Sequence, residues 1–404
     1  MIDLRAARSD PEAYRTALVR KGAGEAFDAL LAADEHWRKL VPRVDALRGR
    51  QKLSGKPTPE QVEERKRVKD DLRRLEEELR SAEAAREAAL IQVPNPPHAS
   101  VPDGDTEEDA VEVRRFGEPP EIAAPKDHLE LGGFEMDRAA RISGSRFGFL
   151  VGDTALIALA LYRFALAQLV EKGFLPMVPP VLVREQAMFG TGFFPAEQFE
   201  IYEVPSDGLY LIGTSEVPLA AFHMGEILED AELPLRYAAF STCFRREAGA
   251  AGRDTHGMFR VHQFNKVEMY AYTRPGESWD EHEHLLAIEE ELIQELGLPY
   301  RVVNIPAGEL AASTAKRYDI EAWFPSQGRY REITSCSNTT DFQARRLQTR
   351  YRGPRGVEPV HTLNGTAAVD RMVLVLLENY QREDGSVAVP EPLVEFGAPS
   401  IARR

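Results

Sequence analysis

The stretch FRREAGAAGRDTHGMFRVHQFNKVE, residues 244–268, sets five Arg or Lys, three Asp or Glu and two His around a run of glycine and alanine. Read with a period of two, RVHQFNKVE is a strand with Arg260, His262, Phe264, Lys266 and Glu268 on one face and Val261, Gln263, Asn265 and Val267 on the other. By the same rule CFRRE places Cys243, Arg245 and Glu247 together. The glycine-rich segment between them then joins two strands into a hairpin. Such a ribbon presents cations and carboxylates to one surface. A charged hairpin is also how proteins blunt a solvated sheet edge, so the rest of the chain has to decide between an edge and a site.

The chain has 404 residues, 43% hydrophobic and 28% charged, which suits a two-domain protein with a sizeable core. Its most apolar run, TALIALALYRFALAQLV at 154–170, is interrupted by Arg163 and reads as a buried helix rather than a membrane span. The N-terminus is charged from residue 3 and lacks an apolar core, so no secretory signal is expected. Two cysteines, Cys243 and Cys336, make neither a disulfide framework nor a cysteine-rich zinc site, and a reducing cytoplasm is the expected setting. The net charge of −15 conceals an asymmetry, because residues 1–100 hold 20 Lys and Arg against 18 Asp and Glu. An acidic body therefore carries a locally basic projection where a polyanion could dock.

That projection reads as two helices. Leu30, Ala33, Trp37, Leu40, Val41, Val44 and Leu47 form one apolar row, and Val68, Leu72, Leu75, Leu79, Ala82 and Ala89 form another, with Arg86 in the one missed position. Between them LSGKPTPEQ breaks the first helix and supplies an N-cap, N1 proline and capping box for the second. An antiparallel hairpin follows, with Arg48, Arg50, Lys52, Lys56, Arg65, Lys66, Arg67 and Lys69 at its tip and return stroke. An oligomerising coiled coil with solvated charges is the competing reading. VPNPPHASVPDGDTEED, residues 93–109, reads as a linker, which divides the chain into an arm at 1–105 and a second domain at 106–404.

Beyond the linker, strand-like segments GLYLI, YRVVNI, RYREIT and VHTLN alternate irregularly with helices, without the βα rhythm of a doubly wound sheet. The fold class expected is α+β, an antiparallel sheet flanked by helices. Neither a P-loop nor GxGxxG occurs. WDEHEHLLAIEEE at 279–291 invites a metal reading, but on a helix His282 and His284 face apart, so a solvated face is expected.

Six segments taken in order carry a resemblance. GFLPMVPPVLV (173–183) is a helix exit into a strand with paired prolines; the charged hairpin follows; and LNGTAAVDRMVLVLLEN (363–379) reads as a strand, a small-residue turn and a helix bearing Arg371. With GTSEVP (213–218), YREITSCSN (330–338) and DFQARR (341–346), this set resembles seryl-tRNA synthetase of the bacterial type, and the three main segments resemble motifs 1, 2 and 3 of class II aminoacyl-tRNA synthetases. The resemblance runs essentially the length of the chain and turns the opening stretch from an edge into a site.

The resemblance implies ATP-dependent activation of L-serine and its transfer to tRNA(Ser), by a cytoplasmic homodimer with Mg²⁺ and without zinc or a membrane. It implies that Arg245 grips the α-phosphate and the serine carboxylate, a task that suits a planar bidentate fork. Arg246, Glu247 and Val261 would belong to the ATP site. Phe264 would stack on adenine, Arg371 would close over its other side, and Glu332, Ile333, Thr334 and Ser335 would also bind ATP, with Glu332 and Ser335 holding the metal. Thr214, Ser215, Glu216, Arg245, Glu268 and Thr366 would select serine, Glu268 accepting from its hydroxyl. The chain departs from the commonest family pattern at Ser215, Thr366, Glu309 and Asp370, the last adding charge beside the ATP-binding arginine. A serine-activating paralogue of specialised metabolism and a catalytically silent RNA-binding homologue are the rival readings.

Overall fold

The protein is described by a computed structural model over residues 1–51, 59–248 and 257–404. It forms two compact units, Met1–Ala99 and Ser100–Arg404.

In the first unit helix α1 (Gly24–Gln51) runs antiparallel to α2 (Pro59–Gln92). Leu40 and Val44 bury against Leu72, Leu75 and Ala82, with Trp37, Leu47 and Leu79 flanking them. Arg86 keeps its place in this seam because its guanidinium lies 3.9 Å over the Trp37 ring, a cation on a π face where an apolar side chain would otherwise pack. Two short helices, Leu4–Ser9 and Pro11–Val19, start at Asp3 and Asp10, whose carboxylates accept from backbone N–H groups of the first turn. They close a small core of Ile2, Leu18, Phe27, Leu30 and Val93. The segment expected to be a linker is therefore anchored: Val93 belongs to this core, and Val101 packs with Val303 and Ile305 in the second unit. The expected helix break, with Lys52 and Lys56, lies outside the described residues.

The second unit is built on eight strands: β1 (Val111–Phe116), β2 (Leu175–Met177), β3 (Leu235–Phe244), β4 (Gln263–Thr273), β5 (Tyr300–Asn304), β6 (Lys316–Phe324), β7 (Arg329–Thr340) and β8 (His361–Val369). Their spatial order is β1-β5-β6-β7-β8-β4-β3-β2. Every pairing is antiparallel except β2 with β3. β4 is central and buried without a break from Lys266 to Thr273, because helices α3 (Asp153–Glu171) and α4 (Ser278–Glu295) cover Val267, Met269 and Ala271 on one face while Leu219, Ala220, Ala344 and Leu347 pack on Tyr270 and Tyr272 from the other. Helix α5 (Asp370–Asn379) continues directly from β8. By length and composition α3 could cross a membrane, yet half of its most apolar stretch is buried inside the protein.

Three expectations need correction here. The hairpin ladder ends at Phe244 opposite Gln263, so Arg245 to Glu247 and Arg260 to His262 lie beyond the regular alternation. One more bond, Arg245 N–H to the His262 carbonyl at 3.0 Å, holds the mouth, and Glu247 then adopts a left-handed φ of 52° instead of a strand conformation. The small residues of LNGTAAV form no turn but lie within β8. Gly365 is small there because a Cβ would come within 2.8 Å of Glu289 Oε1. The acidic run on α4 is not a solvated face: Glu281, His282, Glu289 and Glu290 are all buried. Each has a partner, as burial of polar groups demands; His282 Nε2 bonds the Cys336 carbonyl at 3.0 Å, and Arg236 and Arg114 fork onto Glu281 and Glu290.

Candidate active site

Two adjoining cavities open over the middle of the sheet, one of about 70 Å³ and one of about 460 Å³. Arg245, Glu247, Arg260, Lys266, Glu332, Ser335 and Arg371 line both. The smaller is otherwise mostly apolar, with Met258, Phe259, Val261, Phe264, Ile333 and Val369 in its wall. The larger is polar, walled by Thr214, Glu216, Arg317, Ser337 and Asn364, with Glu107, Glu197, Glu200 and Glu309 around it.

Two β-bulges aim the side chains. On β7 Glu332 pairs with Glu321 and Thr334 with Ile320, leaving Ile333 as the extra residue. In a regular strand residues three apart face opposite sides, but an extra residue restores them to one side. Glu332 and Ser335 consequently share the cavity. Ala367 is the extra residue on β8, where Thr366 pairs with Glu268 and Ala368 with Val267, and it brings Thr366 and Val369 to the same wall.

Ion pairs hold the charged groups in place. Arg260 reaches Glu247 at 2.7 Å, Arg317 reaches Glu332 at 3.2 Å and Arg371 reaches it at 3.1 Å. Burial opposes ionisation of Glu332, but Arg371 and Arg317 outweigh it and hold the carboxyl below its ordinary value. Lys266 pairs with Glu268, and burial pushes its ammonium down to about 8. Arg245 lies 5.3 Å over the Phe264 ring and donates from Nε to the Gly213 carbonyl at 3.1 Å. Arg371 lies 4.7 Å over Phe259 rather than Phe264.

Of the residues expected at an ATP site, Arg245, Glu247, Val261, Phe264, Glu332, Ile333, Thr334, Ser335 and Arg371 all line the smaller cavity. Arg246 lines neither, and its N–H donates to the Glu200 carbonyl at 2.8 Å. Of those expected to select serine, Thr214, Glu216 and Arg245 line the larger cavity and Thr366 the smaller. Ser215 and Glu268 line neither. Ser215 is fully buried against Ser241, its hydroxyl 2.6 Å away. Glu268 is the cross-strand neighbour of Thr366 and stands behind Lys266. Nor does His262 share the cavity face; its Nδ1 bonds the Arg245 carbonyl at 2.9 Å and steadies that backbone.

Lys266 and Arg260 belong to the set, and the period-two face of the opening stretch already contained both. Phe259, Arg317 and Asn364 had no such signal. Glu289 was hidden in the acidic run: its carboxylate accepts from the Thr366 N–H and the Thr334 hydroxyl, both at 2.8 Å, directly beneath the cavity. Among the described residues no group of three or more His, Cys, Asp or Glu could hold a metal ion.

Residues 199–380 match the tRNA synthetase class II core domain (G, H, P, S and T), and residues 1–97 match the seryl-tRNA synthetase N-terminal domain. The serine–tRNA ligase of Acidothermus cellulolyticus is 47% identical over 418 residues, covering 100% of this chain and 99% of its own. Among solved structures, seryl-tRNA synthetase from Pyrococcus horikoshii complexed with ATP superposes with a TM-score of 0.93 at 40% identity, covering 100% of this chain and 99% of its own. Cytoplasmic serine–tRNA ligase from Naegleria fowleri with AMP gives 0.89 at 35%, over 98% and 96%. The fold and its cavity are those of a class II aminoacyl-tRNA synthetase. Within that class, the chain belongs to the seryl-tRNA synthetase family.

Proposed function

We propose that the paired cavities carry out both halves of serine–tRNA ligation. The observation that carries this reading is the convergence of Arg245, Arg260, Lys266 and Arg371 on a wall shared by an apolar pocket and a polar one. Adenine enters the apolar pocket between Phe264 and Arg371, with Val261 and Ile333 beside it, while Glu247 anchors the nucleotide. The α-phosphate and the serine carboxylate lie at the shared wall, where Arg245 contacts both. The carboxylate oxygen attacks the α-phosphorus, pyrophosphate leaves, and seryl-adenylate forms. A tRNA hydroxyl then attacks the acyl carbon and AMP leaves. Positioning two anions against cations that are already in place is the main source of rate.

Glu332 and Ser335, brought to one side by the bulge at Ile333, are the oxygen donors that would hold Mg²⁺. The ion would neutralise phosphate oxygens. Thr214, Glu216 and Thr366 enclose the amino acid, and Glu268, next to Thr366 in the ladder, accepts from its hydroxyl once Lys266 turns toward phosphate. Alanine then leaves that acceptor unpaired and is rejected.

The arm, residues 1–105, takes the tRNA, and residues 106–404 form the catalytic domain. Arg67 and Lys69 are exposed, and Arg48, Arg50 and Lys66 pair with carboxylates that are themselves exposed or partly exposed, Asp45 and Glu76 for Arg48, Glu64 for Arg50 and Glu63 for Lys66, so phosphates can take their place at little cost. Leu156 and Leu159 stand exposed on α3 beside Phe240 and Phe396 around an apolar groove. A second copy of the chain covers that groove in a homodimer. Both cysteines are free and buried, which suits the cytoplasm.

The test is serine-dependent exchange of pyrophosphate into ATP, compared across the amino acids and followed by charging of total tRNA. Exchange with serine and charging of a serine-specific tRNA are expected. Exchange driven by another amino acid, or serine exchange with no tRNA charged, would overturn the reading.

A further inference from the structure

Asp370 is an unexpected residue at the nucleotide pocket, because it directly precedes Arg371 and a carboxylate there should repel phosphate. It lines the smaller cavity yet is only 7% exposed. Although it is the first residue of α5, its side chain does not cap that helix. One oxygen accepts from the Tyr162 hydroxyl on α3, and the other accepts from the Asn265 backbone N–H at 2.9 Å.

The second bond falls where the sheet stops. The β4–β8 ladder ends with Lys266 opposite Val369, and the next residue of β8's chain has already turned into α5. A side-chain oxygen supplies the acceptor that a longer strand would have supplied from its backbone. Asn265 lies between Phe264 and Lys266, and Asp370 is bonded covalently to Arg371. The bond therefore sets the register of Phe264 and Lys266 against Arg371, while Tyr162 fixes the carboxylate from a third element. Burial pushes the carboxyl up to about 7, and two donors on a buried carboxylate are what its desolvation calls for.

We infer that Asp370 is a positioning residue: it ties the start of α5 to β4 and α3 and so fixes the gap between Phe264 and Arg371 in which adenine is held. The inference deepens the ATP-site reading above and rests on it. The departure from the common motif 3 pattern is in this view a brace, with its charge directed away from phosphate into two hydrogen bonds.

The experiment compares the full-length wild type with Asp370→Ala, Asp370→Asn and Tyr162→Phe, measuring ATP affinity by calorimetry and the KM values for ATP and serine in pyrophosphate exchange. Asp370→Ala should weaken ATP binding about tenfold or more, since two buried bonds are lost, and leave the serine KM within about twofold. Asn can accept from Asn265 and donate to the Tyr162 oxygen, so Asp370→Asn should recover most of the loss. Tyr162→Phe should fall between the wild type and Asp370→Ala. Unchanged ATP affinity in Asp370→Ala, equal losses for ATP and serine, or an Asn variant as weak as Ala would overturn the inference. If Asp370→Ala does not fold, Tyr162→Phe decides the matter, and unchanged ATP affinity there overturns it. A wild type that binds ATP without serine-dependent exchange would count against the proposed reaction instead, and the calorimetric comparison would still judge Asp370.

Discussion

Arginine–glutamate pairs occur in both halves of the molecule and do opposite work. On the arm Arg48 meets Glu76 at 2.9 Å with side chains 54% and 36% exposed, whereas in the cleft Arg260 meets Glu247 at 2.7 Å with side chains 27% and 11% exposed. In water the first pair contributes little, on the order of 0–1 kcal/mol, and gives up its arginine to a phosphate readily. The second is part of a set whose cations and carboxylates hold one another in place around a cavity, so its geometry is ready before substrate arrives. An exposed pair suits the phosphate-binding role proposed for the arm. A partly buried network suits a site that must hold one transition state.

The strongest way to break this comparison is to remove the arm. Deleting residues 38–84 and rejoining the ends through a short turn should leave serine-dependent pyrophosphate exchange almost intact, while tRNA charging falls on the order of a thousandfold or more because the phosphate contacts go together. Charging kinetics and exchange on the same preparation give the answer. Undiminished charging would make the arm a structural coiled coil.

In the cleft, one arginine should matter far more than any on the arm. Arg245→Ala removes the side chain that lies over Phe264 and lines both cavities, and it should lose about 3 kcal/mol or more of transition-state stabilisation in exchange. Near-normal exchange in that variant would end the role proposed for Arg245.

The same contrast explains what could be read from the sequence. The arm was legible because a helix has one period and its seam keeps to it, and even the break at Arg86 has a local cause in Trp37. In the catalytic unit YRVVNI, RYREIT and VHTLN were legible as β5, β7 and β8, whereas β1 and β6 were not singled out. The cleft was legible as a set of residue types but not as a geometry, since the period-two rule sends Glu332 and Ser335 to opposite faces and only the bulge at Ile333 reunites them. His262 falls on the cavity face only if the strand begins at Arg260, three residues before the ladder does. Glu281, Glu289 and Glu290 read as solvated because their partners Arg236, Thr334, Thr366 and Arg114 come from strands distant in the chain. Long-range pairing leaves no local signature.

Glu289 sharpens the comparison through pH. Burial raises its carboxyl from 4.5 to about 8, so the folded state favours the protonated form. Stability from this group is fully present below about pH 4.5 and is lost as pH rises toward 8. Glu289→Gln keeps a neutral group of the same shape there. Its melting temperature relative to the wild type should therefore climb between pH 5 and pH 8, by an amount corresponding to on the order of 1 kcal/mol or more. A difference that stays flat across this range would mean that the Thr334 and Thr366 donors keep the carboxylate charged at neutral pH.

The smallest effects belong to single charges on the arm, and they test the comparison most directly. Arg67 and Lys69 project into solvent from α2, so replacing either by Ala should leave stability within about 0.5 kcal/mol. If the residue meets a phosphate, its loss should flatten the log–log dependence of tRNA binding on salt by roughly 0.7–0.9 per contact. Arg48→Ala should cost no more than about 1 kcal/mol of stability, because its glutamate partner returns to water rather than being left buried. Thermal melts and tRNA titrations at several salt concentrations would measure both quantities. A loss of several kcal/mol from Arg48→Ala would mean that the arm, like the cleft, depends on its ion pairs for its shape. A salt slope unchanged in all of these variants would place the RNA elsewhere on the protein.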